Sequence, residues 1–130
     1  MNNSRFTFPK NERLSWKRHL DMLFQQGLAF VAFPLKIIYL PVDKEDADSA
    51  VSVLFSIPKK KIKHAVNRNY IKRRISESYR LRKHDLLHFY SEKDKKLLLA
   101  FIYMSNEQLS FEKIDRAMAK VIQTIQKKTG

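Results

Sequence analysis

Between Pro58 and Lys83 the chain sets eleven Lys and Arg residues against a single acid, Glu77, so this fifth of the sequence carries +10 of the net +13. The remaining residues hold fifteen bases and twelve acids, close to balance. The same window places Ile71, Ile75 and Tyr79 at i, i+4 and i+8, which stacks them on one side of a helix. Asn69, Lys72, Arg73, Ser76, Arg80 and Lys83 fall in a neighbouring sector about 100° wide. A helix of about Asn67 to Lys83 is therefore expected to bury one side and present cations on another. Arg68 sits in its first turn, where a cation opposes the helix dipole by roughly 0.3–1 kcal/mol. A phosphate bound at that terminus would justify it. A merely solvated helix would interleave acids at i, i+4, and a pI near 10.1 points to a polyanionic partner.

The other elements follow from periodicity. Ser15 is a helix cap, Trp16, Leu20, Leu23 and Phe24 form an apolar side, and Gly27 ends that helix. Leu28 to Leu40 is rich in Phe, Val and Ile and interrupted by Pro34, which predicts a short strand before the proline and another over Leu35–Leu40. Pro41 to Asp48 reads as an acidic, solvated turn region. Ala50 to Ile57 is a strand closed by Pro58, and Pro58 to His64 is a basic loop. Asp85 to Tyr90 adds a short turn of helix. Leu97 to Met104 is a continuous apolar run, a strand covered on both faces. Ser110 caps a final amphipathic helix with Phe111, Ile114, Met118, Val121, Ile122 and Ile125 inward. Residues 1–12 read as a flexible N-terminal arm and 13–130 as a single domain.

Several function classes are excluded. The absence of cysteine removes disulfides, thiolate metal sites and a cysteine nucleophile. Met1 to Lys10 lacks the apolar run of a signal peptide, and no apolar stretch is long enough to span a bilayer. His84 and His88 stand at i, i+4 around Asp85 but form no metalloprotease motif. No nucleophile elbow or phosphate loop occurs, so protein-borne catalysis is not expected. Nor is there a helix-turn-helix spacing for duplex DNA.

Residues 56 to 80 read Ser-Ile-Pro-Lys-Lys-Lys-Ile-Lys-His-Ala-Val-Asn-Arg-Asn-Tyr-Ile-Lys-Arg-Arg-Ile-Ser-Glu-Ser-Tyr-Arg. This segment resembles the signature of the bacterial-type ribonuclease P protein component: an S-V-x-K-K strand end followed by A-V-x-R-N-R-x-K-R-x-x-R-E. Ala65, Val66, Arg68, Asn69, Lys72, Arg73 and Glu77 match in register. Arg13-Leu14, Phe24 with Gly27, and Leu109-Ser110-Phe111-Glu112 are similar to the family's flanks, so the resemblance spans roughly residues 10 to 127. Tyr70 and Ser76 stand where the family carries arginines, and no glycine occurs between Lys59 and Ala65.

The resemblance implies an α/β (α+β) two-layer sandwich of α-β-β-β-α-β-α order, similar to the second domain of ribosomal protein S5, with a left-handed β-α-β crossover. It implies a protein subunit of ribonuclease P, an accessory subunit of an endoribonuclease whose catalytic centre lies in the RNA. No cofactor is expected on the protein itself, and Mg2+ would enter the holoenzyme through the RNA. The implied partners are ribonuclease P RNA and precursor tRNA, with no membrane and no obligate protein partner, in the cytoplasm. Arg68, Asn69, Lys72 and Arg73 would contact the catalytic RNA, with electrostatic support from Lys59, Lys60, Lys61, Lys63 and Arg80. The single-stranded 5′ leader would lie in a cleft between the first helix and the sheet, beside Phe24, Tyr39 and Leu20. The alternative reading is a structural RNA-binding protein, like a ribosomal protein, with no role in cleavage.

Overall fold

The computed structural model describes residues 17–47 and 49–129. Helix α1 (Lys17–Gln26) leads into strands β1 (Leu28–Ala32) and β2 (Leu35–Asp43), a single 3-10 turn (Lys44–Asp46) and β3 (Val51–Ser56). Helix α2 (Ala65–Ser91), strand β4 (Lys95–Tyr103) and helix α3 (Phe111–Thr129) complete the expected α-β-β-β-α-β-α order. The sheet order is β1-β2-β4-β3. β1 pairs antiparallel with β2, and β2 with β4, whereas β3 and β4 run parallel and are joined by α2. The expected cap Ser15, Trp16 and the arm 1–12 lie outside the described residues.

β4 explains the layering. Leu97 to Phe101 are all fully buried, and a strand can bury consecutive residues only if both its faces are covered. Leu97, Leu99, Phe101 and Tyr103 join the large core under α2 and α3, with Leu35, Ile37 and Tyr39 of β2 and Val51, Val53 and Phe55 of β3. Leu98 and Ala100 face the other way, into a smaller cluster with Leu23, Leu20 and Met22 of α1 and with Ile38 and Leu40. The sheet and the α2/α3 pair thus make the sandwich, and α1 covers part of the opposite face.

α2 is longer than its sequence suggests. It begins at Ala65 and runs without a break to Ser91, absorbing the separate turn expected over Asp85–Tyr90. Leu86 and Tyr90 prolong the buried stripe of Ile71, Ile75 and Tyr79, and neither glycine nor proline interrupts them. Tyr79 fixes the helix to the sheet: its ring lies 6.0 Å from Phe55 and 5.6 Å from Phe101, which are themselves stacked at 5.3 Å. A second tie joins α2 to α3. Asp115 accepts both Nε and Nη2 of Arg82, each at 2.8 Å, and the Ser78 hydroxyl at 2.7 Å.

The region Pro41–Asp48 is not simply a solvated turn. β2 continues through Pro41 to Asp43, paired with Leu97, Lys96 and Lys95 of β4. Proline is tolerated there because β1 ends opposite Tyr39, leaving that part of β2 with a strand on one side only. Asp43 then accepts Lys95 Nζ at 2.8 Å. Asp46 holds α1, pairing with Arg18 and accepting at its carbonyl the His19 ring nitrogen at 2.6 Å.

Loops are pinned by side chains. The Tyr103 hydroxyl donates to the Glu107 carbonyl at 2.6 Å and accepts the Leu109 amide at 3.1 Å, ordering the segment that leads to α3. Ser110 accepts the Lys113 amide at 3.3 Å, as a helix cap does. The Phe33–Pro34 peptide bond in the β1–β2 turn is cis.

Gly27 is fixed by space. A Cβ there would sit 2.3 Å from the Leu23 carbonyl oxygen and 2.7 Å from Ile38 Cγ2, so Gly27→Ala must push α1 off the sheet. We expect a loss of ~1–3 kcal/mol, read as a lower urea midpoint. Arg82 and Ser78 also draw the Asp115 carboxyl down from 3.8 to about 2. Because the folded value lies below the unfolded one, this contribution is intact above pH ~4 and disappears as pH falls through about 2. Asp115→Asn is expected to flatten the acid limb of the stability curve in that window; an unchanged limb would contradict the assignment.

Candidate nucleic-acid interface

The lysine loop is a compact turn, with the amides of Lys61 and Ile62 bonded to the Pro58 carbonyl at 3.0 and 3.1 Å. Ile62 is buried and plugs this turn into the core, which leaves Lys59, Lys60, Lys61 and Lys63 exposed around it. Arg68 then bolts the loop to α2, its guanidinium donating to the carbonyls of Ile62 (3.1 Å) and Lys63 (2.8 Å). This half-buried arginine therefore organises the lysines as well as adding charge. Asn69, Lys72 and Arg73 follow on the exposed side of the helix. The first turn of α2 contains no acid, and His64 makes no side-chain cap, so amides at that terminus are available to an anion.

Farther along α2 the cations are engaged within the chain. Arg80, expected to support RNA binding, is clamped by Glu77 at 3.0 and 2.6 Å. That contact raises the Arg80 pKa and lowers that of Glu77, so both stay ionised and the pair as a whole presents little net charge to a phosphate. Arg82 is held by Asp115. Arg74 donates to the Leu109 carbonyl at 2.7 Å and lies 4.3 Å over the ring of Tyr70. An i, i+4 spacing does not give the pairing of Glu77 with Arg80, which runs at i−3. Nor does it give Asp115, 33 residues away from Arg82. Lys72 and Arg73 in the first half of α2 are exposed, whereas Arg80 and Arg82 in the second half are held by acids.

The cleft residues separate onto different faces. Leu20 is partly buried against the α1 side of the sheet, and Phe24, in the last turn of α1, is 54% exposed. Tyr39 does not join them. It is 4% exposed, belongs to the core under α2 and α3, and packs edge-on to Phe30 at 5.8 Å. Residues alternate between faces along a strand, so the β2 side chains on the α1 side are Lys36, Ile38 and Leu40. Leu35–Leu40 is apolar at both parities except for Lys36, which is why the sequence alone left the facing side open. Beyond the reach of α1, the same face presents the exposed Val31 and the half-buried Lys36, Ser56 and Ile102.

The topology also sorts charge. Ser56 lies beside Ile102, and Leu35 beside Tyr103. The β1–β2 turn, the lysine loop and the starts of α2 and α3 therefore gather at one end of the sheet. At the other end, around the beginning of β4, Asp43, Glu45, Asp46, Glu92 and Asp94 are interleaved with Lys44, Lys93, Lys95 and Lys96, close to balance. Among the described residues no group of three or more His, Asp or Glu is placed to hold a metal, and no helix is long and apolar enough to cross a membrane.

Comparison with known proteins bears on the family and the fold. The ribonuclease P family model matches residues 8–126. The ribonuclease P protein component of Porphyromonas gingivalis is 36% identical over 115 residues, covering 88% of this chain and 83% of its own. That of Chlorobaculum tepidum is 38% identical over 102 residues, covering 73% and 66%. In fold, the chain is similar to the RNase P protein of Staphylococcus aureus, with a TM-score of 0.69 at 18% identity over 89% of this chain and 96% of that one. The Thermotoga maritima RNase P protein gives a TM-score of 0.65 at 15% identity, covering 87% and 96%. With its central motif, its fold and its sequence relatives in agreement, the chain belongs to the ribonuclease P protein family.

Proposed function

We propose that this chain acts as the protein subunit of ribonuclease P, binding the catalytic RNA through the lysine loop and the first half of α2. The observation that carries this reading is the exposed set Lys59, Lys60, Lys61, Lys63, Asn69, Lys72 and Arg73 at one end of the sheet, on a chain of this family. Folded RNA offers closely spaced phosphates, and a cationic surface of this kind supplies affinity without reading sequence. The chemistry belongs to the RNA; Mg2+ bound by that RNA would supply the activated water. The protein's own contribution is binding and orientation, and cytoplasmic location follows from its substrate.

For the single-stranded leader of precursor tRNA we propose the α1 side of the sheet. Phe24 offers an exposed ring for stacking, Leu20 and Val31 an apolar surface, and Lys36 a cation. Tyr39 supports this face only from behind, through the core.

Reconstitution tests the assignment. Added to a bacterial ribonuclease P RNA at low magnesium, the protein is expected to accelerate leader removal; binding with no gain in cleavage would favour a purely structural RNA-binding protein. If about six phosphates are neutralised, the log–log salt slope should be roughly −4 to −5. Lys72→Ala with Arg73→Ala should make it shallower by about 2 with little change in thermal stability. Arg68→Ala should differ, because it also frees the lysine loop: hydrogen exchange at Lys59–Lys63 should rise in the free protein.

A further inference from the structure

At the cationic end of the sheet, α3 carries a second set of charges that the family signature does not include. Lys113, Arg116 and Lys120 recur at i, i+3 and i+7, hence along one side of the helix, and all three are exposed. Asp115, the acid among them, is turned toward α2 and held there by Arg82 and Ser78. No carboxylate among the described residues pairs with the three cations. They border an open cavity of about 280 Å³, lined also by Ala32, Leu109 and Ala117, with Phe33 of the β1–β2 turn beside it. Phe33 is 65% exposed, the largest exposure of any aromatic side chain among the described residues. The cavity falls short of the ~300 Å³ at which pockets for drug-sized ligands begin. It has room for one flat group next to positive charge.

A bare aromatic ring flanked by unpaired cations matches a nucleobase and its neighbouring phosphates. An acidic peptide would use the cations and leave the ring idle. α3 shares its layer with α2, and Arg74 of α2 bonds the Leu109 carbonyl at the edge of the cavity at 2.7 Å. The patch therefore continues the α2 surface, while the face proposed for the leader lies on the other side of the sheet. We propose that Lys113, Arg116, Lys120 and Phe33 form a second contact for the catalytic RNA, taking an unpaired stretch with its phosphates on the three cations and one base against Phe33. This rests on the ribonuclease P reading above.

Two measurements on the full chain decide it. The first is affinity for ribonuclease P RNA alone as a function of salt; the second is affinity of the assembled holoenzyme for precursor tRNA with and without its leader. The triple variant Lys113→Ala, Arg116→Ala, Lys120→Ala should weaken RNA binding and make the salt slope shallower by about 2 to 3. Its thermal stability should hold, because the side chains are exposed. Exchange of Lys113 and Lys120 for arginine should keep the slope. Phe33→Ala should weaken binding roughly 5- to 100-fold at an unchanged slope, since stacking displaces no counterions, and Phe33→Trp should retain it. Wild-type affinity and slope in the triple variant would overturn the proposal, and wild-type affinity in Phe33→Ala would remove its base contact. A defect confined to leader-bearing precursor would reassign the patch to substrate. If the wild-type protein itself fails to bind the RNA, the ribonuclease P reading falls with it.

Discussion

The packing of Tyr79 between Phe55 and Phe101 sets the geometry on which the rest of this protein depends. A helix as basic as α2 has little tendency to remain on a sheet by itself, since its like charges repel and its first turn works against its dipole. Burial of Ile71, Ile75, Tyr79, Leu86 and Tyr90 holds it there; each such side chain contributes on the order of 1.5–3 kcal/mol when removed from water. Apolar packing therefore fixes where the cations point. The electrostatics do not organise the fold, but they are organised by it.

Within α2 the charges divide by partner. Glu77 and Asp115 compensate Arg80 and Arg82, whereas Asn69, Lys72 and the lysine loop stay exposed. Arg68 and Arg74 form an intermediate group, satisfied by backbone carbonyls that are neutral. A guanidinium bonded to a carbonyl keeps its full charge, so these two hold local structure in place and still add to the field outside.

How much of this is legible in the sequence varies with how local the cause is. The order of elements and the α2 stripe were readable, because a 3.6-residue period and a run such as Leu97–Met104 arise within a few turns of chain. The motif from Ser56 to Arg80 was sufficient to indicate the family. Tyr39 was misplaced because β2 is apolar at both parities, and only pairing with β1 and β4 decides which face each residue takes. Arg80 looks available at i, i+4 spacing because its acid, Glu77, lies at i−3. Asp115 and the α3 cations were overlooked for a different reason: spread through an amphipathic helix, they look like ordinary solvated charge until the fold sets them beside Phe33.

The concentration of positive charge at one end of the sheet has a consequence for the encounter itself. A molecule whose excess positive charge lies at one end, the other end being near balance, behaves as a compass needle near a polyanion. Torque from the RNA's field turns it before contact, so that productive collisions outnumber those that random tumbling would provide. The clamps Lys95–Asp43 and Arg18–Asp46 thus do more than hold loops: by cancelling charge at the far end they leave the lysine loop and the start of α2 to choose which way round the protein lands.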